Sequence, residues 1–297
     1  MERTAATSAH ASDRLLARIE QVGAPTCVGL DPVVEKLPAA LRPAGGDEAA
    51  AAAIEAFSTG VLDAVAGRAP AVKVQAACFE RHGPAGVRAL ARVLEHARGL
   101  ACFEVILDWK RGDIGVSAEH YAAAARGALD SDWTTVNSYL GADGIAPFLA
   151  AGRGAFALVR TSNPSGDALQ SLPLADGRTV AQAVADLVAT LGAAHCGRAG
   201  FSDLGAVVGA TKRADAAALR ERMPQQIFLV PGFGAQGGGV DDVLPCFRSD
   251  GRGALVTASR SVIYAFGPGD RDWAGAVTRA AEELRAQIGG ALGARAG

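Results

Sequence analysis

The sequence holds 297 residues, 49% of them hydrophobic and 20% charged, with 29 Lys and Arg set against 31 Asp and Glu. So near-neutral a balance argues against a nucleic-acid binder that works through a broad basic face, and the apolar share is that of a globular chain. No stretch supplies the roughly 18 apolar residues of a membrane span, so no membrane partner is expected.

Residues 1–12 are polar and rich in Ala and Ser, without the apolar centre of a signal peptide, and are expected to form a disordered tail. Over 13–297 short apolar runs alternate with longer Ala- and Leu-rich stretches. The runs are 26–31 (TCVGLD), 71–75 (AVKVQ), 103–108 (FEVILD), 134–138 (TTVNS), 155–160 (AFALVR), 205–209 (GAVVG), 227–231 (IFLVP) and 253–257 (GALVT). They hardly alternate in polarity, which suits strands buried on both faces. The stretches 48–66, 84–98, 117–129, 179–195 and 273–288 read as helices, with Pro84 and Ser117 as starting residues.

Eight strands alternating with helices predict an α/β chain folded as a (β/α)8 TIM barrel, a single domain over 13–297. An open doubly wound sheet competes, because closure leaves no mark in one sequence. The barrel is favoured by where the polar residues fall. Asp31, Lys73, Asp108, Asn137, Arg160 and Pro231 all stand at or near run ends, and barrels gather their chemistry at the carboxyl ends of many strands.

Cys27, Cys78, Cys102, Cys196 and Cys246 are an odd, scattered set without a Cys-x-x-Cys pair. They predict reduced thiols in a cytoplasmic protein, not a disulfide framework or a zinc site. The histidines outside the tail, His82, His96, His120 and His195, show no ligand spacing, and no metal site is expected. The basic residues are lopsided: 25 Arg and only four Lys, at Lys36, Lys73, Lys110 and Lys212. Coding bias explains the scarcity, but Lys can surrender a proton and Arg cannot, so each Lys is a candidate.

The strongest motif is Asp108-Trp-Lys110-Arg-Gly-Asp113, which starts at the end of the third run and precedes a helix. In an extended segment Asp108 and Lys110 project to one side and Trp109 to the other. If Lys73 ends the neighbouring strand, two cations and two anions converge. At ~4 Å and an effective dielectric near 20, each attraction is worth roughly 4 kcal/mol before desolvation. A structural ion-pair network at a barrel mouth is the plain alternative.

After the seventh run, 232–237 (GFGAQG) matches the dinucleotide pattern GxGxxG. It comes at the wrong strand, is followed by glycines too flexible to open a helix, and has no acid near position 257 for a ribose. A backbone cradle for a phosphate fits better, with Arg260 after the eighth run as its cationic partner. Arg160-Thr-Ser162-Asn163-Pro after the fifth run offers hydroxyl and amide groups for a polar heterocycle, although it is also ordinary turn chemistry.

Taken in order, CVGLDP, VKVQAACFE, DWKRGDIG, TVNSYLG, LVRTSNPSG, VVGAT, LVPGFGAQGG and SRSVIYA resemble the orotidine 5'-phosphate decarboxylase family, in particular its longer bacterial subgroup. The resemblance implies cofactor-free conversion of orotidylate to UMP and CO2. Lys110 would donate the proton to C6, and Asp108, Asp113 and Lys73 would complete an alternating charged network. Asp31 would bind ribose hydroxyls, Ile114 would line the pyrimidine pocket, and Ser117, standing where Thr is usual, would reach the ribose. Ser162 and Asn163 would meet the base, Pro231 would belong to the substrate-binding set, and Gln236 and Arg260 would hold the phosphate, with Gln236 also bridging to the base. It also implies a homodimer in which Asp113 enters the partner's site. Trp109, Ser138 and Ser261 depart from the family pattern. A metal-dependent sugar-phosphate lyase or epimerase of the same suprafamily, and an inactive nucleotide-binding barrel, remain alternatives.

Overall fold

The computed structural model describes residues 10–150, 152–234 and 238–296. Eight parallel strands close into a barrel in chain order. They are β1 Thr26–Leu30, β2 Ala71–Gln75, β3 Glu104–Arg111, β4 Trp133–Val136, β5 Gly154–Arg160, β6 Leu204–Val208, β7 Phe228–Pro231 and β8 Ala254–Ala258. β1 pairs with both β2 and β8, and this excludes the open sheet. The helices expected from periodicity form at Asp47–Val65, Gly83–Gly99, Gly115–Arg126, Val180–Gly192 and Trp273–Ala296. Among the described residues no helix is long and apolar enough to cross a membrane.

The unalternating strands follow from two apolar environments. Outward residues such as Val28, Val72, Val105 and Val256 pack under the helices in one large core. Inward residues Cys27, Ala71, Ile106, Trp133, Phe156 and Leu255 fill the barrel itself. Trp133 and Phe156 stack there with ring centroids 4.6 Å apart. Gly154 makes room for them, since a Cβ at that position would lie 2.2 Å from the Trp133 ring.

The chain is ordered earlier than the expected tail over residues 1–12 allows. A helix begins at Ala11, and Ala11, Leu15 and Leu16 plug the amino-terminal mouth of the barrel. Ser12 donates its amide and its hydroxyl to Asp203 Oδ1, each at 2.8 Å, and His10 Nδ1 lies 2.8 Å from Asp203 Oδ2. The correction concerns residues 10–12; residues 1–9 lie outside the described set. The apolar spacing of Leu15, Leu16 and Ile19 carried the helical signal. A second helix not expected, Arg213–Arg222, is half charged and is held through buried Arg220, which donates to the carbonyls of Cys246, Met223, Gln226 and Gly253.

At the same amino-terminal end, buried Glu104 accepts from Arg14 Nε at 3.3 Å and Trp133 Nε1 at 3.2 Å. Burial, reinforced by Asp132 and opposed by Arg14, pushes the Glu104 pKa up from 4.5 to about 7. The fold therefore prefers the protonated acid, and this group lowers stability as pH rises from 4.5 toward about 7. Glu104→Gln should abolish that component. Urea unfolding at about pH 5 and about pH 7.5 should show wild type losing more stability across the interval than the variant; equal losses would refute the assignment.

Candidate active site

A cavity of about 400 Å³ opens at the carboxyl end of the barrel. Its floor is the inward layer above the aromatic filling, where Leu158, Val207 and Leu229 face Lys73, Asp108 and Thr135. Lys73 and Asp108 meet because β2 and β3 pair with Gln75 opposite Asp108, which sets both inward-facing rows side by side.

Asp108 is the centre of the charged cluster, and both of its oxygens are fully engaged. Oδ2 accepts from Lys73 Nζ at 2.5 Å and Gln75 Nε2 at 3.2 Å. Oδ1 accepts from Lys110 Nζ and from Thr135 Oγ1, the latter at 2.9 Å. Asp31 adds a second carboxylate, its Oδ1 lying 3.8 Å from Lys73 Nζ. Burial alone would raise the Asp108 pKa, but the charges of Lys73 and Lys110 and their hydrogen bonds outweigh it and hold the carboxyl well below its usual range. Burial likewise opposes the charge on Lys73, and Asp108 and Asp31 reverse the effect, so its pKa is raised. Lys110 differs in exposure: its side chain is 45% accessible against 7% for Lys73.

β3 runs three residues beyond the expected end and carries Lys110 with it. Trp109 turns away, as alternation predicts; its Nε1 donates to Glu80 at 2.8 Å and its ring meets Tyr121 edge-on. Lys73, Asp108, Lys110, Asp31, Ser162, Asn163, Pro231 and Arg260 all line the cavity. Asp113, Ile114 and Ser117 do not line it. Asp113 Oδ1 accepts from the Ile114 amide at 2.8 Å, and Ile114 is 61% exposed. Gln236 lies outside the described residues.

Arg160 leaves the site altogether. It pairs with Asp167 at 2.7 Å and Asp215 at 2.6 Å, on the outer side of β5. Lys212 pairs with the same Asp167, and Lys36 sits over the Tyr264 ring, so two of the four lysines have no place in the cavity. Ser138 donates to the Leu158 carbonyl at 2.7 Å. Ser261 faces Gly234, whose φ of +72° and missing Cβ let the loop after β7 pass it.

Gln75, Thr135, Thr257, Ser259 and Phe233 also line the cavity and were not singled out from sequence. Strand parity could have found the first two, because Gln75 is two residues from Lys73 and Thr135 two from the barrel-filling Trp133. Ser259 packs against Gly29 so closely that a Cβ there would lie 2.0 Å from its Oγ, a contact between chain ends without a local signal.

A family model described as "Orotidine 5'-phosphate decarboxylase / HUMPS family" matches residues 25–270. A Rhodopirellula baltica protein named orotidine 5'-phosphate decarboxylase is 42% identical over 298 residues, covering 93% of this chain and 98% of its own. A protein of the same name from a Roseiflexus species is 40% identical, covering 91% of this chain and 93% of its own. Among solved structures, Leishmania donovani OMP decarboxylase superposes with a TM-score of 0.77 at 30% identity, covering 96% of this chain and 99% of that one.

Replacing Asp108 tests the electrostatic balance directly. Asp108→Asn leaves buried Lys73 without its nearest anion and should destabilise the fold by roughly 3–5 kcal/mol at neutral pH, read by chemical denaturation. Because the folded pKa lies below the ordinary 3.8, the contribution is present above that pH and fades only as pH falls through the depressed value. A variant as stable as wild type at neutral pH would contradict this.

Proposed function

We propose that this chain, which belongs to the orotidine 5'-phosphate decarboxylase / HUMPS family, is a carboxy-lyase that converts orotidylate to UMP and CO2 in de novo pyrimidine biosynthesis. The observation that carries the reading is one ionised carboxylate, Asp108, held between two ammonium groups at the mouth of a barrel. Breaking the C6–carboxyl bond leaves an electron pair in the plane of the ring, where the π system cannot spread it. What stabilises such a pair is fixed charge, preorganised in a site that excludes water.

Lys110 is the more accessible of the two cations and lines the cavity. Its ammonium meets the developing charge and gives its proton to C6, and solvent reprotonates the amine afterwards. Lys73, deeply buried and raised in pKa, keeps its proton and braces Asp108. Asp31 Oδ1 is buried and makes no hydrogen bond within the described residues, so it can accept one from a ribose hydroxyl. Ser162 and Asn163 face the same space and suit the polar edge of the base. Arg260, which lines the cavity together with Pro231, suits the phosphate. The route needs no cofactor.

The residues outside the cavity fit a homodimer. Ile114 is 61% exposed, Val116 66% and Tyr139 81%, with Leu140 beside them. Apolar side chains gathered in this way are what a partner subunit covers. Asp113 then enters the charged cluster of the second copy, while Ile114 and Ser117 line that copy's pyrimidine and ribose subsites.

Purified protein should decarboxylate orotidylate with EDTA present. No turnover would exclude the reading, and turnover lost to the chelator and restored by a divalent metal would replace it with a metal-dependent relative. Lys110→Ala should lower kcat at least roughly 1,000-fold. Lys110→Ala and Asp113→Ala homodimers should each be nearly inactive, and mixing them should restore activity, since one site of each mixed dimer keeps both residues. Absence of recovery after confirmed subunit exchange would eliminate the shared site.

A further inference from the structure

Lys110 has a backbone φ of +51°, a left-handed conformation that residues with a Cβ rarely adopt. It occurs where the pairing of β3 with β4 breaks register, between Leu107 and Arg111. The amides of Trp109 and Lys110 instead converge on one side-chain oxygen. Thr135 Oγ1 on β4 accepts from the Trp109 N–H and the Lys110 N–H, each at 3.0 Å, and donates its own proton to Asp108 Oδ1 at 2.9 Å. One donor and two lone pairs are all that a hydroxyl has, so this group is saturated. Thr135 is 1% exposed, and among described residues no other side chain is hydrogen-bonded to these two amides.

The bonds have a shared consequence. The left-handed turn folds the Lys110 side chain back onto a carboxylate only two residues earlier, and that carboxylate is oriented by the same hydroxyl. On the outer side, Glu80 accepts from Trp109 and Arg111, so the residues flanking Lys110 are anchored too.

We infer that Thr135 is the positioning residue of the reaction. Its hydroxyl sets the backbone of Lys110 and the carboxylate of Asp108 in one frame, and so places the ammonium against the reacting carbon. The inference rests on the function proposed above. Thr134 supplies an internal control: it is the neighbouring residue, equally buried, and its hydroxyl donates to the Leu107 carbonyl at 3.2 Å, away from the cavity.

The test compares Thr135→Val, Thr135→Ala, Thr135→Ser and Thr134→Val by kcat and KM for orotidylate, with thermal melts alongside. Val keeps the shape of Thr but can accept neither amide. It should lower kcat roughly 10- to 100-fold with KM within about threefold, because small misplacements of a reacting group have effects of that size. Ala should behave alike, Ser should stay within about threefold of wild type, and Thr134→Val should leave kcat unchanged. Turnover by Thr135→Val within about threefold of wild type would overturn the inference. So would equal losses in the Thr134 and Thr135 variants, which would mark a general effect on the strand.

A second readout needs no substrate. Lysine labelled with ¹³C at its ε carbon gives few signals in a chain with four Lys. Replacement of Thr135 by Val or Ala should move the Lys110 signal and leave those of Lys36 and Lys212 in place. An unmoved Lys110 signal overturns the inference. Wild type without orotidylate turnover overturns the proposed function instead, and the NMR comparison still decides the role of Thr135.

Discussion

The cavity is organised around a carboxylate that could not be buried alone. Asp108 lies under the mouth of the barrel with four donors on its two oxygens, from Lys73, Gln75, Lys110 and Thr135. Desolvation disfavours each charge singly; interleaving the signs makes burial tolerable and fixes the geometry. The arrangement needs β2, β3 and β4 in their observed register, since each contributes to the cluster. The core that holds those strands is therefore part of the site's chemistry, and its residues Val207 and Leu229 line the cavity itself.

The barrel divides its labour between its ends. The amino-terminal mouth is sealed by the helix Ala11–Val22 and by a network in which Arg14, Glu104 and Asp132 are drawn together. The carboxyl mouth stays open and gathers Asp31, Lys73, Asp108, Lys110 and Arg260. Between them lies the stacked Trp133–Phe156 layer. This is the usual division in barrels, with stability built at one face and reactivity at the other. It also accounts for two classes of buried charge: Glu104 is pushed toward its neutral form, while Asp108 is held ionised. The difference is the number and nearness of cationic partners, since burial opposes ionisation at both.

Much of this was legible in the chain. The eight runs matched the eight strands to within a few residues, because a strand buried on both faces needs a continuous apolar stretch and its turns need polar breaks. The pairing of Asp108 with Lys110 and the outward turn of Trp109 followed from two-residue alternation. Thr135 and Gln75 obey the same parity but look like ordinary polar residues until their neighbours are known. Arg160 ends β5 and looked like a site residue beside Lys73, yet it points outward to Asp167 and Asp215. Both acids come later in the chain and nothing local announces them. The docking of the helix start at Ala11 and Ser12 was hidden for a related reason, since it depends on Asp203 and Phe201, nearly 200 residues away.

Local order therefore determined most of the elements, the opposed faces of Asp108 and Trp109, and the identity of the charged motif, all of which depend on chemistry within a few residues. Tertiary structure decided closure, the meeting of Lys73 with Asp108, the left-handed turn at Lys110 and the exclusion of Asp113 and Ile114 from the cavity of their own chain. These depend on pairing between segments distant in sequence. A register is set by summed packing over the whole barrel, and no single segment of the chain contains that sum.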